Sequence, residues 1–323
     1  MKIKAALPLA LCLALCACAL GSASAASPSE PVLIVGFSQV GAESDWRAAN
    51  TKSMQDTFTE DNGYKLIFHD AQQKQENQIN VVRGFVQQEV DYIVLAPVTE
   101  SGWATVLQEA EDADIPVILV DRMIDVLDYS LFTCWVGSDF RKESDIAVEW
   151  MRENLGTDLK IVHLQGTIGS SAQIGRTEGL EAGLLENPSW KLVSQQTGEF
   201  TEAKGQEIVE ALLESGEDIN VVFAENDNMA FGAIAAIEAA GKTAGVGGDI
   251  AVISFDATSA GLQLTLERKI NFNVECNPLH GPRVDAIIKN LEGGMKPEKL
   301  TYVSEQAFDA TTLTQAMLDD RLY

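Results

Sequence analysis

Acidic, amide and guanidinium side chains recur at one kind of place in this 323-residue sequence, just after short apolar runs. Ser38, Glu43, Trp46 and Arg47 follow Val32–Phe37. Asp121 and Arg122 follow Val117–Val120, and Asp139 follows Val136. Gln165 and, further on, Arg176 follow Lys160–Leu164. Asn226 and Asp227 follow Asn220–Ala224, Asp256 follows Ala251–Phe255, and Glu275 ends the run from Ile270. Trp46, Phe200 and Phe255 supply aromatic rings near these positions. A hydroxyl both donates and accepts, so paired carboxylates and guanidiniums satisfy a neutral polyol with charge-assisted bonds. The apolar CH face of a sugar packs on an aromatic ring. Any one of these residues is also an ordinary cap or turn former, and Asp227 reads as the cap of a helix over Met229–Ala240. The recurrence of the same chemistry at successive run ends carries the reading.

Other chemistries find less support. His69, His163 and His280 stand far apart, and the sequence has no Cys-x-x-Cys pair, so neither a zinc site nor any other metal or cofactor is expected. No Gly-x-Ser-x-Gly or His-Glu-x-x-His motif supplies a nucleophile or a metal-bound water. No catalytic residue is therefore expected. An enzyme using Asp121, Asp139 or Asp256 as acid and base is a rival reading. Gly241-Lys242-Thr243 lacks the upstream glycine of a phosphate-binding loop and reads as a helix stop.

The elements that must position these groups are legible in the hydropathy pattern. Strand-like runs fall at Val32–Phe37, Lys65–His69, Tyr92–Ala96, Val117–Val120, Lys160–Leu164, Asn220–Ala224, Ala251–Phe255 and Ile270–Glu275. They are short, rich in Val and Ile and nearly continuous, as strands covered on both faces of a parallel sheet are. Between them lie helical stripes such as Ile79, Val82 and Val86; Ile208, Val209, Leu212 and Leu213; and Val284, Ile287, Ile288 and Leu291. Asp45 and Ser144 mark helix starts, and Asn62-Gly63, Gly156 and Gly241 mark stops. Repeated βα units imply doubly wound sheets. One series runs to about Val120 and a second begins near Lys160, so two similar α/β domains are expected. Ligands of such sheets sit outside the carboxyl ends of the strands, where the polar residues above fall.

Charge and the chain start bound the partners. Forty-eight acidic against 23 basic residues give a net charge of -25, which repels nucleic acid and anionic lipid. Lys2 and Lys4 precede an apolar run over Ala5–Leu20 and a small-residue stretch over Gly21–Ala26. That is the layout of a signal peptide, here taken as residues 1–25, and the run is too short for a membrane span. Ala23-Ser24-Ala25 fits cleavage, while Leu15-Cys16-Ala17-Cys18 resembles a lipobox that would anchor the protein through a lipid on Cys18. Cys134 and Cys276 remain as two buried free thiols. A transcription regulator would need a basic helix-turn-helix where this export segment stands.

Longer stretches carry a family likeness. Gly36–Ala49 (GFSQVGAESDWRAA), Asp70–Ile79, Ala96–Val98, Ile115–Arg122, His163–Arg176, Ala224–Ile234 and Ile253–Ala257 together resemble the type I periplasmic sugar-binding proteins of ABC importers. The likeness is nearest to the galactofuranose-binding branch, with ribose-binding proteins more distant, and it spans Val32 to about Ala307. It implies two similar doubly wound parallel-sheet lobes joined by a three-strand hinge, with crossings near Ser138, Asn277 and Ser304. The amino-terminal lobe is then 32–137 plus 277–303, and the carboxy-terminal lobe 138–276 plus 304–323. By resemblance Glu43, Trp46, Asp121, Arg122, Arg176, Phe200, Asn226, Asp256 and Glu275 match sugar contacts, with Arg47 and Asp139 as additions. Many members read Ile-Asp-Arg where this chain has Ile174-Gly175-Arg176, and Phe255 is similar to the ribose branch. The implied ligand is a furanose-form hexose such as galactofuranose or fructose, or a pentose, carried by a monomer to an ABC permease and its ATPase. A sugar sensor presenting ligand to a chemoreceptor or histidine kinase would use the same pocket.

Overall fold

The computed structural model describes residues 32–323. The expected export segment over residues 1–25, with Cys18, lies outside the described residues. From Val32 onward the chain forms one compact unit.

A first six-stranded sheet contains β1 (Leu33–Gln39), β2 (Tyr64–Asp70), β3 (Tyr92–Leu95), β4 (Val117–Val120), β5 (Cys134–Gly137) and β11 (Leu300–Tyr302). Its order is β11-β5-β4-β3-β1-β2, parallel throughout. A second sheet contains β6 (Lys160–Gln165), β7 (Lys191–Thr197), β8 (Val221–Ala224), β9 (Ala251–Asp256), β10 (Phe272–Glu275) and β12 (Ala307–Asp309), in the order β12-β10-β9-β8-β6-β7. Only β12 runs antiparallel to its neighbour. The central strands are apolar because helices cover both of their faces: every residue of β3, β4 and β8 is buried. Each fully buried Val, Leu or Ile contributes roughly 1.5–3 kcal/mol.

The helices are α1 (Asp45–Thr57), α2 (Gln75–Gln87), α3 (Ala104–Asp112), α4 (Phe140–Asn154), α5 (Ser171–Glu186), α6 (Glu202–Glu214), α7 (Asp227–Ala239), α8 (Ser259–Leu266), α9 (Gly281–Glu292) and α10 (Gln315–Asp319). The expected stripes face the sheets: Val82, Val209, Val284 and Ile288 are fully buried. The chain passes from the first sheet to the second between β5 and α4, back between β10 and α9, and over again between β11 and β12. Helix α9 belongs with the first sheet, since Val284 and Ile288 share a core cluster with Val35, Val94 and Ile118.

Some caps differ from expectation. Ser44, not Asp45, caps α1 by accepting from the Arg47 backbone N–H. Asp139 caps α4, so that helix begins one turn before Ser144. Asn226, not Asp227, caps α7. Asp227 instead binds Ser254, Thr258 and Asn273 at 2.7–2.8 Å and ties the start of α7 to β9, to the turn after it and to β10. Strands β7, β11 and β12 escape the hydropathy pattern because they are edges, where polar residues such as Ser194, Gln195 and Gln196 are tolerated.

Glycine explains one local departure from the family pattern. A Cβ on Gly175 would stand 2.8 Å from the Phe140 Cβ and 2.9 Å from the Arg141 backbone nitrogen. Gly179 and Gly183 meet Ser144 and Val148 in the same way, so a small-residue face lets α5 lie close on α4. The glycine before Arg176 thus serves helix packing, and an Asp there would push α4 away.

Candidate functional site

Nine of the expected residues converge on one cleft between the two sheets: Glu43, Trp46, Arg47, Asp121, Arg122, Arg176, Phe200, Asn226 and Asp256. Ser44, Phe140, Ala172 and Cys276 complete its lining. Most of the polar groups arrive at the end of a parallel strand, on the turn after it or on the first turn of the helix that follows, and Arg176 comes from the second turn of α5.

The wall built on the first sheet is a buried ionic network. Arg47 donates from Nε to Glu43 at 3.0 Å and from Nη1 to Asp121 at 2.8 Å and to Gln39 at 3.1 Å. Burial opposes the Arg47 charge, but Asp121 and Glu43 overcome it and hold the guanidinium above its ordinary pKa. Arg122 donates from Nη1 to the Val98 carbonyl at 2.9 Å and stays 3.9–4.0 Å from Asp121 and Glu43. Burial and the neighbouring Arg47 bring its pKa down to about 10, so it remains a cation at neutral pH. Two atoms of this wall, Arg122 Nε and Glu43 Oε2, are buried with no hydrogen-bond partner. One is a donor and the other an acceptor. Leaving such groups unpaired costs about 1–3 kcal/mol each.

The opposite wall is more aromatic. Arg176 donates from Nε to Glu143 at 2.8 Å, donates to the Glu225 carbonyl, and reaches Asp256 only at 3.5 Å. Its guanidinium lies 4.8 Å from the Phe255 ring centre and 5.4 Å from that of Phe140. Burial opposes its charge and Glu143 and Asp256 restore it, so the guanidinium is held above its usual range. Burial raises the Asp256 carboxyl, with Asp227 and Asp121 adding to the rise while Arg176 opposes it. Asn226 is spent on structure: its Oδ1 caps α7 and its Nδ2 donates to the Phe200 carbonyl at 3.1 Å.

Three site residues sit in the left-handed backbone region: Asp121 at φ 62°, Phe200 at φ 63° and Asp256 at φ 99°. For a bulky residue such as Phe this conformation stores strain, which concentrates at functional turns. Phe200 is held from behind by Gly166, where a Cβ would stand 1.9 Å from the ring.

The two walls touch directly. Trp46 donates from Nε1 to the Cys276 carbonyl at 2.6 Å and packs into a cluster with Phe140, Ala172 and Phe200. Arg122 lies 5.2 Å from the Phe200 ring centre. At the rim Glu100 N–H meets the Gly169 carbonyl at 2.9 Å, Met123 N–H meets Ser171 Oγ at 2.9 Å, and Asp45 N–H meets Asn228 Oδ1 at 3.0 Å. The enclosed space is about 20 Å³, little more than a water molecule needs. A larger ligand enters only if the walls part.

Two expected residues lie elsewhere. Asp139 accepts from the Lys142 N–H as a helix cap and does not line the cleft. Glu275 is buried behind it, bound to Arg321, Tyr323, Asn277 and the Gln306 N–H at the crossings. Both satisfy local backbone or hinge partners. Two others went unread in the sequence. Gln39 positions Arg47, and Glu143 positions Arg176 from within α4. Glu143 looks like one more solvated helix acid and carries no sequence signal. Cys134 and Cys276 are free and buried.

Two facing α/β sheets, three chain crossings and a polar cleft between them define a two-lobed ligand-binding protein. The family described as periplasmic binding protein domain matches residues 35–280, and this chain belongs to it. The chain is 42% identical over 281 residues to the galactofuranose-binding protein of Escherichia coli (strain K12), covering 85% of this chain and 87% of that one. A solved structure from Mycobacterium smegmatis in complex with β-D-fucofuranose is 42% identical with a TM-score of 0.83, over 90% of this chain and 94% of its own. The binding-protein component of the arabinose ABC transporter of Shewanella sp. ANA-3, bound to α- and β-L-arabinofuranose, is 41% identical with a TM-score of 0.83, over 90% and 95%. These relatives are binding proteins or sugar complexes by their names, and the family is a periplasmic one. Among the described residues no helix is long and apolar enough to cross a membrane.

Proposed function

We propose that this protein binds a monosaccharide in its furanose form between the two walls and delivers it to an ABC permease driven by a separate ATPase. The observation that carries the reading is two buried, unpartnered polar atoms among the cleft residues, Arg122 Nε and Glu43 Oε2. One vicinal diol supplies both missing partners, a hydroxyl accepting from Arg122 and its neighbour donating to Glu43. Trp46, Phe140 and Phe200, the aromatic residues lining the cleft, offer apolar faces to the ring carbons. Relatives named for galactofuranose, fucofuranose and arabinofuranose support a five-membered ring.

The mechanism is a shift between open and closed forms. Residues 32–137 with 277–303 and residues 138–276 with 304–323 move as two bodies about the crossings near Ser138, Asn277 and Ser304. Only the closed form brings Glu43, Arg47, Asp121 and Arg122 to one side of the sugar and Arg176, Phe200 and Asp256 to the other. The ligand therefore favours closure, a hinge motion about the crossings, by its difference in affinity for the two forms. Asp139 and Glu275 act at the crossings, and Asn226 shapes the wall. Export would follow the signal-peptide reading, with Cys18 as the alternative anchor, and the protein acts as a monomer.

Calorimetric titration with L-arabinose, D-galactose, D-fructose and D-ribose tests this. At least one sugar binds one-to-one with a Kd of about 1 μM or tighter, near -8 kcal/mol. Heat from none of the four, or turnover of a sugar by the protein, contradicts it.

A further inference from the structure

Behind the cleft, three ionisable side chains meet where the chain crosses between the sheets: Glu143, which also positions Arg176, Cys276, which borders the cleft, and Glu305. Glu143 follows the first crossing, Cys276 lies on the second and Glu305 on the third. A carboxylate oxygen of Glu143, the Cys276 thiol sulfur and a carboxylate oxygen of Glu305 all lie within 4.8 Å of one another. Glu143 is 2% exposed. Arg176 takes its Oε2 at 2.8 Å, while its Oε1 is buried with no hydrogen-bond partner. Ser138 Oγ donates to Glu305 Oε1 at 2.5 Å and lies 3.3 Å from the Cys276 sulfur, so it orients the second carboxylate beside the thiol. A cavity of about 270 Å³ reaches Glu143 and Glu305, bordered by Asp139, Lys142, Tyr302 and Gln306.

We propose that Glu143, Cys276 and Glu305 form a site for one thiophilic divalent cation, Zn²⁺ or Cd²⁺ in chemical class, at the crossings. A thiolate with two carboxylates selects such ions over Mg²⁺ and Ca²⁺. Zn–S and Zn–O bonds of about 2.3 and 2.0–2.2 Å require the donors to draw in by about 1 Å. Binding releases the thiol proton to solvent and leaves Arg176 on the outer oxygen of Glu143. Burial raises the Cys276 thiol and both carboxyls; Glu305 adds to the rise of Glu143 and both carboxylates add to that of the thiol, while Arg176 opposes all three. Because the donors come from all three crossings, one ion ties the crossings together. Sequence spacing gives no hint of this, since the donors stand at 143, 276 and 305.

The test uses the full chain with Cys12→Ser, Cys16→Ser, Cys18→Ser and Cys134→Ser, so that Cys276 is the one thiol. Cd²⁺ titration is followed by the ultraviolet thiolate-to-metal charge-transfer band, by native mass spectrometry and by melting temperature. The expected result is one Cd²⁺ per chain with a Kd of about 10 μM or tighter, a charge-transfer band and a raised melting temperature. Adding Cys276→Ser removes the band, and Glu305→Gln in its place weakens binding about tenfold or more. Absence of the band at about 100 μM Cd²⁺ overturns the site, as does undiminished affinity in Glu305→Gln. Glu305→Gln keeps the test open even if Cys276→Ser fails to fold.

Discussion

On the wall from the first sheet, Arg47 spans Glu43 and Asp121 at 2.8–3.0 Å and leaves Arg122 and one Glu43 oxygen with unspent hydrogen-bonding capacity. On the wall from the second sheet, Arg176 is held by Glu143 and the Glu225 carbonyl, sits against Phe255 and Phe140, and reaches Asp256 only loosely. The first wall presents directional polar atoms. The second presents aromatic surface on turns held in left-handed backbone. Buried charges are expensive to desolvate, so a network that leaves some capacity unfilled is retained for what it binds rather than for stability. The contrast assigns orientation of a sugar to the first wall and its apolar embrace to the second.

The largest expected effect breaks the first wall. Arg122→Ala removes the free donor, and sugar affinity measured by calorimetry falls about 100-fold or more, roughly 3 kcal/mol. Arg122→Lys restores part of the charge but not the planar fork, and recovers less than tenfold of it. An unchanged Kd in Arg122→Ala would remove the first wall from binding.

A second test separates the walls by pH. His280 packs edge-on against Trp46 behind the first wall, its Nδ1 accepting from the Asn50 amide at 2.9 Å and its Nε2 unpartnered. Burial lowers its pKa to about 4, with Arg283 and Arg47 adding to the fall against Asp121. The unfolded imidazole takes a proton below about 6.5 and the folded one only below about 4, so the unfolded state binds more protons in between. Stability from this residue is complete above pH 6.5 and is lost as pH falls from 6.5 to 4, by up to about 3 kcal/mol. In urea unfolding, His280→Asn loses that share of the pH dependence. An identical pH profile in the variant contradicts the assignment.

Gly166→Ala probes the second wall alone. The new methyl meets the Phe200 ring, so the ring shifts or the turn moves. Overpacking of this kind costs about 1–3 kcal/mol in melting experiments, and sugar affinity falls with it, by less than for Arg122→Ala. The smallest effect is outside both walls. Asp139→Ala removes a helix cap worth about 1 kcal/mol and leaves sugar affinity within about twofold. A tenfold affinity loss there would return Asp139 to the site.

What could be read from the sequence follows the same division. Most central strands were legible because both faces are covered and Val and Ile runs betray them, and the edge strand β2 was read as well; the edge strands β7, β11 and β12 were not, because solvent relaxes the requirement, and neither was the short interior strand β5. Nine cleft residues were legible because sheet topology places strand ends in one crevice. Asp139 and Glu275 share that position in the chain, yet a cap and a hinge carboxylate occupy strand ends equally well. Glu143 was hidden because its partner Arg176 comes from another helix, a contact no local pattern encodes. The left-handed backbone of Phe200 was equally silent.

The most direct test is a crystal structure of the protein grown with L-arabinose, D-galactose, D-fructose and D-ribose together. The account predicts one five-membered sugar ring between the walls, with hydroxyls on Arg122 Nε and Glu43 Oε2 and its carbons against Phe200. A six-membered ring there, or a sugar seated away from Arg122 and Glu43, would contradict it.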